Sequence, residues 1–287
     1  MSRILVTGAN GQLGQCIKEL SSKIDSNNTY IFKSSADLNI TQYKQVITEF
    51  IIGDFDFCIN CAAYTNVDKA ETDVENAADV NTFGVKNLAI ACKQTNTTLL
   101  HISTDFVFDG SKNSPYTETD TTSALGVYGA TKQQGEKEII QNISQYYIIR
   151  TSWLYSEYGH NFMKTMIRLG NERAQLSIVD DQTGTPTYAK DLAEVLINII
   201  TRKPIPYGIY HLSNEGTATW FEFAQAIFEI NNNSINLSPI TTETYPLPAK
   251  RPKYSVMDKT KLKKALSIEI PHWKDSLAKA LKAHHSL

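Results

Sequence analysis

The segment Arg3–Gly14, R-I-L-V-T-G-A-N-G-Q-L-G, leaves few folds open to this chain. Ile4, Leu5 and Val6 form an apolar run without polar alternation, the pattern of a strand covered on both faces. Gly8, Gly11 and Gly14 follow at once, and Leu13 to Leu20 reads as a helix. Strand, glycine-rich turn and helix N-terminus in this order make an anion site. Backbone N–H groups approach a phosphate where no Cβ intervenes, and the helix dipole adds about half a positive charge. Three glycines alone are more often a tight turn. The strand in front of them makes this a dinucleotide fingerprint.

Strand-like runs then alternate with helical patterns, which implies βα units on a parallel sheet. The runs are Ile4–Thr7, Tyr30–Lys33, Phe55–Asn60, Leu99–Ser103 and Tyr147–Thr151. Thr41 is expected to cap a helix bearing Tyr43, Val46, Ile47, Phe50 and Ile51, and one longer helix is expected from about Val74 to Cys92. Right-handed crossovers make such a sheet doubly wound, with its ligand crevice at the C-terminal strand ends. After Tyr147–Thr151 the pattern loosens. Helices are expected at Asn161–Leu169, Asp191–Ile200 and Trp220–Ile230, the last with Phe221, Ala224, Ile227 and Phe228 on its core face. The expected architecture is α/β, with a doubly wound parallel sheet in residues 1–152 and a smaller C-terminal lobe in residues 153–287. Strands near 176–180 and 208–213 are expected to return from the second part to the sheet.

Several partners and locations fall away on composition. A formal charge of −2 over 287 residues, without a long Lys/Arg block, argues against nucleic acid. No apolar run approaches the roughly 18 residues of a membrane span, and the chain enters its first strand without a secretory leader, so a cytoplasmic protein is expected. Cys58 and Cys61 form C-x-x-C at the end of a buried strand with no second ligand pair, so with Cys16 and Cys92 they read as reduced core thiols. None of the six histidines shows ligand spacing, and no metal site is assigned.

Three residues carry candidate chemistry. The fourth strand ends in Ser103-Thr104-Asp105, and Tyr128 and Lys132, four apart, share a face of a later helix. Moving a phenol from about 10 to about 7 takes roughly 4 kcal/mol. One ammonium about 4 Å away supplies that at an effective dielectric near 20. On this reading Lys132 makes Tyr128 an acid/base at neutral pH, and Thr104 donates to the same substrate oxygen. A ketone would take hydride at carbon and a proton from Tyr128 at oxygen. After the second strand, Lys33-Ser34-Ser35-Ala36 has no acid for ribose hydroxyls. Lys33 would receive a 2′-phosphate, favouring NADPH over NADH, or is a solvated lysine at a strand end.

With these residues in place, the chain resembles the extended short-chain dehydrogenase/reductases and, within them, the dTDP-4-dehydrorhamnose reductases. The resemblance covers nearly the whole chain. It rests on Thr7–Gly14, S-T-D-F-V-F-D-G (Ser103–Gly110), R-T-S-W-L-Y (Arg150–Tyr155), D-D-Q-T-G-T-P-T (Asp180–Thr187) and P-A-K-R-P (Pro248–Pro252). It implies a Rossmann-type domain, a nucleotide-sugar-binding lobe and reduction of a dTDP-4-keto-sugar to dTDP-L-rhamnose by NADPH, with NADH as the alternative. It also implies residue roles. Tyr128 would be the proton donor, Lys132 would orient the ribose, and Thr104 with Asp105 would hold the sugar. Asn10, Gly11 and Gln12 would lie along the pyrophosphate, with Gly8, Leu13 and Gly14 around them. Asn39 and Ile40 would flank the adenine, and Ala62, Ala63, Tyr64 and Thr65 would line the cofactor channel. Trp153 would contact the nucleotide-sugar, or is a core aromatic. Arg251 would take its diphosphate, or belongs to a solvated basic loop. Some such reductases dimerise through Mg²⁺ held by acids. The matching positions here, Gln15 and Lys190, are not acids, so the homodimer the family allows would form without that metal site. An epimerase or dehydratase of the same fold and a non-catalytic dinucleotide-binding subunit are the competing readings. Phe106, where a dehydratase would carry a glutamate, counts against the second enzyme.

Overall fold

The computed structural model describes residues 1–202 and 204–286. Its centre is a six-stranded sheet in which every neighbouring pair runs parallel. The first five strands are β1 (Arg3–Thr7), β2 (Thr29–Lys33), β3 (Phe57–Asn60), β4 (Thr98–Thr104) and β5 (Tyr146–Thr151). Two later strands are β6 (Gln175–Val179) and β7 (Gly208–His211), and the sheet order is β7-β5-β4-β3-β1-β2. The uninterrupted apolar runs have their reason here. Ile4 and Val6 enter the core on one face, against α1 (Gln12–Ile24), while Leu5 enters the core on the other. That second core also takes Val46 and Phe50 of α2 (Tyr43–Gly53), Leu88 and Cys92 of α3 (Val85–Thr95) and Ile139 of α4 (Val127–Asn142). Leu192 and Leu196 of α5 (Ala189–Thr201) join α1 on the first face.

The returning strand at 208–213 is present as β7, paired with β5 from Gly208↔Tyr147 to His211↔Arg150. The strand expected near 176–180 does not join the sheet. β6 pairs instead with β8 (Asn236–Ile240), and its burial alternates, as suits a strand with one wet face. It belongs with α6 (Trp220–Ile230) to a third core built on Met163, Phe223, Phe228 and Trp273. On α6 the buried phenylalanines are Phe223 and Phe228, with Ala224 and Ile227 beside them and Phe221 only partly covered.

Two helix expectations also change. Gln42, not Thr41, precedes α2 and provides no side-chain cap, while the Thr41 hydroxyl donates back to Asn39 Oδ1 at 3.0 Å. The helix expected from Val74 to Cys92 is interrupted: Val74–Ala78 is α-helical, Asp79–Gly84 is a π turn, and α3 resumes at Val85. A π turn adds one residue to the helical circuit and turns the side chains after it. It places Asn81, fully buried, against the Tyr64 backbone (N–H to Oδ1 2.9 Å, Nδ2 to carbonyl 3.0 Å) and the Thr131 hydroxyl at 3.2 Å.

One ion pair pins α4 to the sheet. Arg150 on β5 donates to Glu136 from Nη2 at 2.7 Å and from Nε at 2.9 Å, and Ser103 of β4 donates to the same carboxylate at 2.5 Å. Both charges are almost fully buried. Arg150→Leu leaves that carboxylate without its partner and is expected to cost roughly 3–5 kcal/mol in urea unfolding. A loss under about 1 kcal/mol would mean the pair does not hold the helix.

Candidate active site

The first βα turn is built for close approach. Gly8 has φ +66°, and a Cβ there would lie 2.6 Å from the Ala62 nitrogen. A Cβ on Gly14 would lie 2.6 Å from the Gly8 carbonyl oxygen. Gly11 stands at the N-cap of α1 and provides no side-chain cap, which leaves the first-turn N–H groups directed into the crevice. The glycines thus let the turn pack backbone to backbone against the end of β3 and against the start of α1, and the uncapped helix N-terminus left there fits a dinucleotide pyrophosphate. Asn10 lies exposed beside it, while Leu13 faces the core. The Gln12 side chain is committed elsewhere: its Oε1 accepts from Ser156 at 3.0 Å and Asn161 at 2.8 Å. That oxygen could not serve a phosphate in any case, because a phosphate needs a donor such as the Gln12 amide NH₂ or backbone N–H.

Around this turn, Ala62, Ala63 and Tyr64 are half-buried and Thr65 is exposed. The Tyr64 hydroxyl donates to Asp73 at 2.9 Å. Asn39 is exposed and Ile40 is buried in the core. Lys33 forms an ion pair with Glu49 at 3.0 Å. It is therefore neither freely solvated nor unengaged, and a 2′-phosphate would have to compete with Glu49 for it.

The chemistry-bearing residues meet at the C-terminal end of β4. Helix α4 comes unusually near because Gly129 has no Cβ: one there would collide with the Phe106 carbonyl oxygen. Gly135 likewise lets α4 pass against the Asn81 carbonyl oxygen. As a result Tyr128 packs edge-on against Phe106, with ring centroids 5.6 Å apart, and the Thr104 hydroxyl reaches its phenol. Gly129, Gly135, Asn81 and Glu136 are thus positioning residues that motif reading missed. Small residues on one face of a helix beside the Tyr/Lys pair were the available signal for the glycines.

The expected charge relation between Lys132 and Tyr128 does not hold in this state. Burial pushes the Tyr128 phenol up to about 12, assisted by the Asp105 charge and opposed by the hydrogen bond with Thr104. Lys132 is drawn away beneath the sheet end, where its Nζ donates to the Ile102 carbonyl at 2.6 Å. Burial lowers its ammonium to about 8, against the opposite pull of Glu136 and Cys61. The phenol is therefore a firmly protonated acid, not one half-ionised at neutral pH.

Asp105 is buried next to this pair, its Oδ1 accepting from Thr104 at 3.0 Å and its Oδ2 without a well-aligned partner. Trp153, at φ +45°, stacks on Trp220 with centroids 3.6 Å apart, over Gly184. Trp220, Phe162, Met166, Tyr245 and Arg251 line a cavity of about 820 Å³ on the C-terminal lobe. Arg251 is not solvated: its Nη2 and Nη1 donate to Asp68 at 2.7 and 3.1 Å. Lys190 bridges Glu19 at 2.7 Å and Glu157 at 2.5 Å, so a cation of the chain's own lies between these acids. Among the described residues no helix is long and apolar enough to cross a membrane.

Comparison with known proteins shows the family and the fold. The family model described as RmlD substrate binding domain matches residues 1–286. The chain is 42% identical to the dTDP-4-dehydrorhamnose reductase of Aggregatibacter actinomycetemcomitans, over 96% of this chain and 97% of that protein. A crystal structure of a dTDP-4-dehydrorhamnose reductase from Clostridium acetobutylicum superposes with a TM-score of 0.95 at 40% identity, covering 99% of both chains. A Bacillus anthracis dTDP-4-dehydrorhamnose reductase in complex with NADP gives 0.94 at 38% identity, covering 98% of this chain and 99% of that one.

Burial raises the Asp105 carboxyl from 3.8 to about 6, so the folded chain binds this proton more tightly than the unfolded one. Stability contributed by the protonated form is full below about pH 4 and is lost as pH rises through 6. The difference is worth about 3 kcal/mol at neutral pH. Asp105→Asn is expected to be more stable than the native chain at neutral pH by about that amount. The two curves should converge near pH 4 when unfolding is followed across pH, and parallel curves would contradict the assignment.

Proposed function

We infer, from the premise that this chain belongs to the RmlD substrate binding domain family of dTDP-4-dehydrorhamnose reductases, that it is an NADPH-dependent oxidoreductase of dTDP-rhamnose synthesis. It reduces the 4-keto group of dTDP-4-dehydro-6-deoxy-L-mannose to give dTDP-L-rhamnose. The observation that carries this reading is the Tyr128 phenol beside Thr104 at the end of β4, on the same C-terminal edge of the sheet as a glycine turn that opens onto an uncapped helix N-terminus. NADPH bound there would supply hydride to the 4-keto carbon, and the same turn leaves room for NADH.

The chain's own residues do the rest. Tyr128 gives its phenolic proton to the oxygen of the former ketone, a transfer suited to a phenol that is protonated before substrate arrives. Thr104 donates to the same oxygen and polarises the carbonyl. Lys132 lies one helical turn deeper and orients the nicotinamide ribose. Gly8, Gly11 and Gly14 let the backbone approach the pyrophosphate, which the N–H groups of Gln12 and Leu13 bind, with Asn10 beside them. Ala62, Ala63, Tyr64 and Thr65 line the channel, and Asn39 and Ile40 lie along the adenine. Asp105 and Trp153 position the sugar, and Arg251 takes the diphosphate. Residues 1–152 thus bind dinucleotide and most of 153–287 binds the nucleotide-sugar. The reading places the protein in the cytoplasm and is compatible with a homodimer.

Offered NADPH and the 4-keto sugar nucleotide, the protein is expected to oxidise NADPH stoichiometrically. Tyr128→Phe should lower turnover by roughly 10²-fold or more with cofactor affinity nearly unchanged. An epimerase would leave the absorbance of NADPH in place, and full turnover by Tyr128→Phe would remove that phenol as the acid. Arg251→Ala should raise KM for the nucleotide-sugar several-fold more than KM for NADPH. Equal effects on both would reassign Arg251 to holding the Asp68 segment.

A further inference from the structure

Lys132 is met by two groups of β4: the Ile102 carbonyl and, at 3.3 Å, Nε2 of His101. His101 is fully buried, and its Nδ1 lies 2.9 Å from Asn60 Nδ2. Asn60 decides which nitrogen of His101 carries the hydrogen. Its Oδ1 accepts from the Ala62 backbone N–H at 3.1 Å and from the Thr7 hydroxyl at 2.6 Å. A backbone N–H cannot reverse its role, so the amide oxygen stays on that side and the NH₂ group faces His101. An amide NH₂ only donates, so Nδ1 must accept and a neutral imidazole carries its hydrogen on Nε2.

That N–H points at the Lys132 amine. A free amine satisfies both neighbours, giving one N–H to the Ile102 carbonyl and its lone pair to Nε2–H. An ammonium has no lone pair to offer. We propose that Asn60 and His101 form a positioning device that locks the Nε2–H tautomer against Lys132 and so weakens the hold of Lys132 on its proton.

The other groups facing Lys132 are Glu136 on its own helix and Cys61 after β3, and both favour the ammonium. The Glu136 charge is largely compensated by Arg150. Burial is the larger opposing force on Lys132, and the tautomer adds to it. His101 is itself held well below its ordinary value, first by burial and then by the Lys132 charge, so it stays neutral across the working range. The consequence for catalysis rests on Lys132 acting in the proposed reduction, whereas the tautomer does not.

The test is ¹⁵N NMR of the full chain labelled at histidine, without cofactor, with the His101 signal assigned by its loss in His101→Gln. Nε2 is expected to be protonated and Nδ1 bare at neutral pH, with both signals moving as pH passes through about 8, where Lys132 titrates. A protonated Nδ1 would overturn the proposal. Asn60→Asp offers oxygen to His101 as well as to Ala62, so it should reverse the tautomer. It should also move the alkaline limb of kcat/KM upward by at least ~0.5 pH unit. A reversed tautomer with an unmoved limb would overturn the link to Lys132. Should Asn60→Asp not fold, the native spectrum still decides. A native chain that fails to oxidise NADPH but shows the Nε2–H tautomer would end the proposed reduction and leave the proton assignment standing.

Discussion

The site depends on how near one helix backbone comes to the carbonyl ends of the sheet. At Gly129 and Gly135 any Cβ would collide with a carbonyl oxygen, of Phe106 and of Asn81 respectively. With those two contacts made, α4 has little freedom to rotate or slide, and Tyr128, Lys132 and Glu136 fall in a column one turn apart. Depth then assigns their tasks. Tyr128 stands half-buried at the cleft, Lys132 is closed under the Ile102 carbonyl, and Glu136 reaches through to Arg150. The buried ion pair at the bottom is poor value as stabilisation but good as registration, since a misplaced helix would separate two desolvated charges.

The same ordering by depth explains why the expected tuning of the phenol is absent from the free chain. The sequence distance of four residues sets Cβ atoms near each other, but not the ends of a phenol and a long flexible amine. The carbonyl of Ile102 takes the amine, and the phenol is left with burial and a neighbouring carboxyl, both of which hold its proton on. An acid that must not leak its proton before the ketone is in place is well served by that arrangement. In the proposed reduction the proton would leave when negative charge develops on the substrate oxygen, because that is when the phenol gains a strong acceptor.

Most of the sheet was legible because its strands are apolar without alternation, and burial on both faces leaves few other options. The helix periods were legible for the same reason of packing. The π turn was not: one extra residue between Ala77 and Val85 barely disturbs a 3.6-residue pattern, yet it redirects Asn81. Nor was the home of β6, which turns on pairing with a strand some sixty residues later. The candidate site was legible where chemistry is local, at the glycine turn, at Thr104-Asp105 and at Tyr128. It was illegible where a partner lies far along the chain, as with Asp68 for Arg251 and Glu49 for Lys33.

Those distant partners change what a basic residue in this cleft can mean. A guanidinium already held in two hydrogen bonds by Asp68 has lost its side-chain freedom before any diphosphate arrives, so binding need not supply that ordering again. The cost is a carboxylate near an incoming anion, which the same arginine must screen. The pair is only partly buried, so in the proposed reading a ligand with two or more negative charges can draw the guanidinium toward itself at modest expense. A neutral or singly charged ligand cannot. With Arg251 in its proposed role, the pairing would favour a diphosphate over lesser anions by what it withholds from them, and Asp68, which accepts both guanidinium hydrogen bonds, would share in the discrimination.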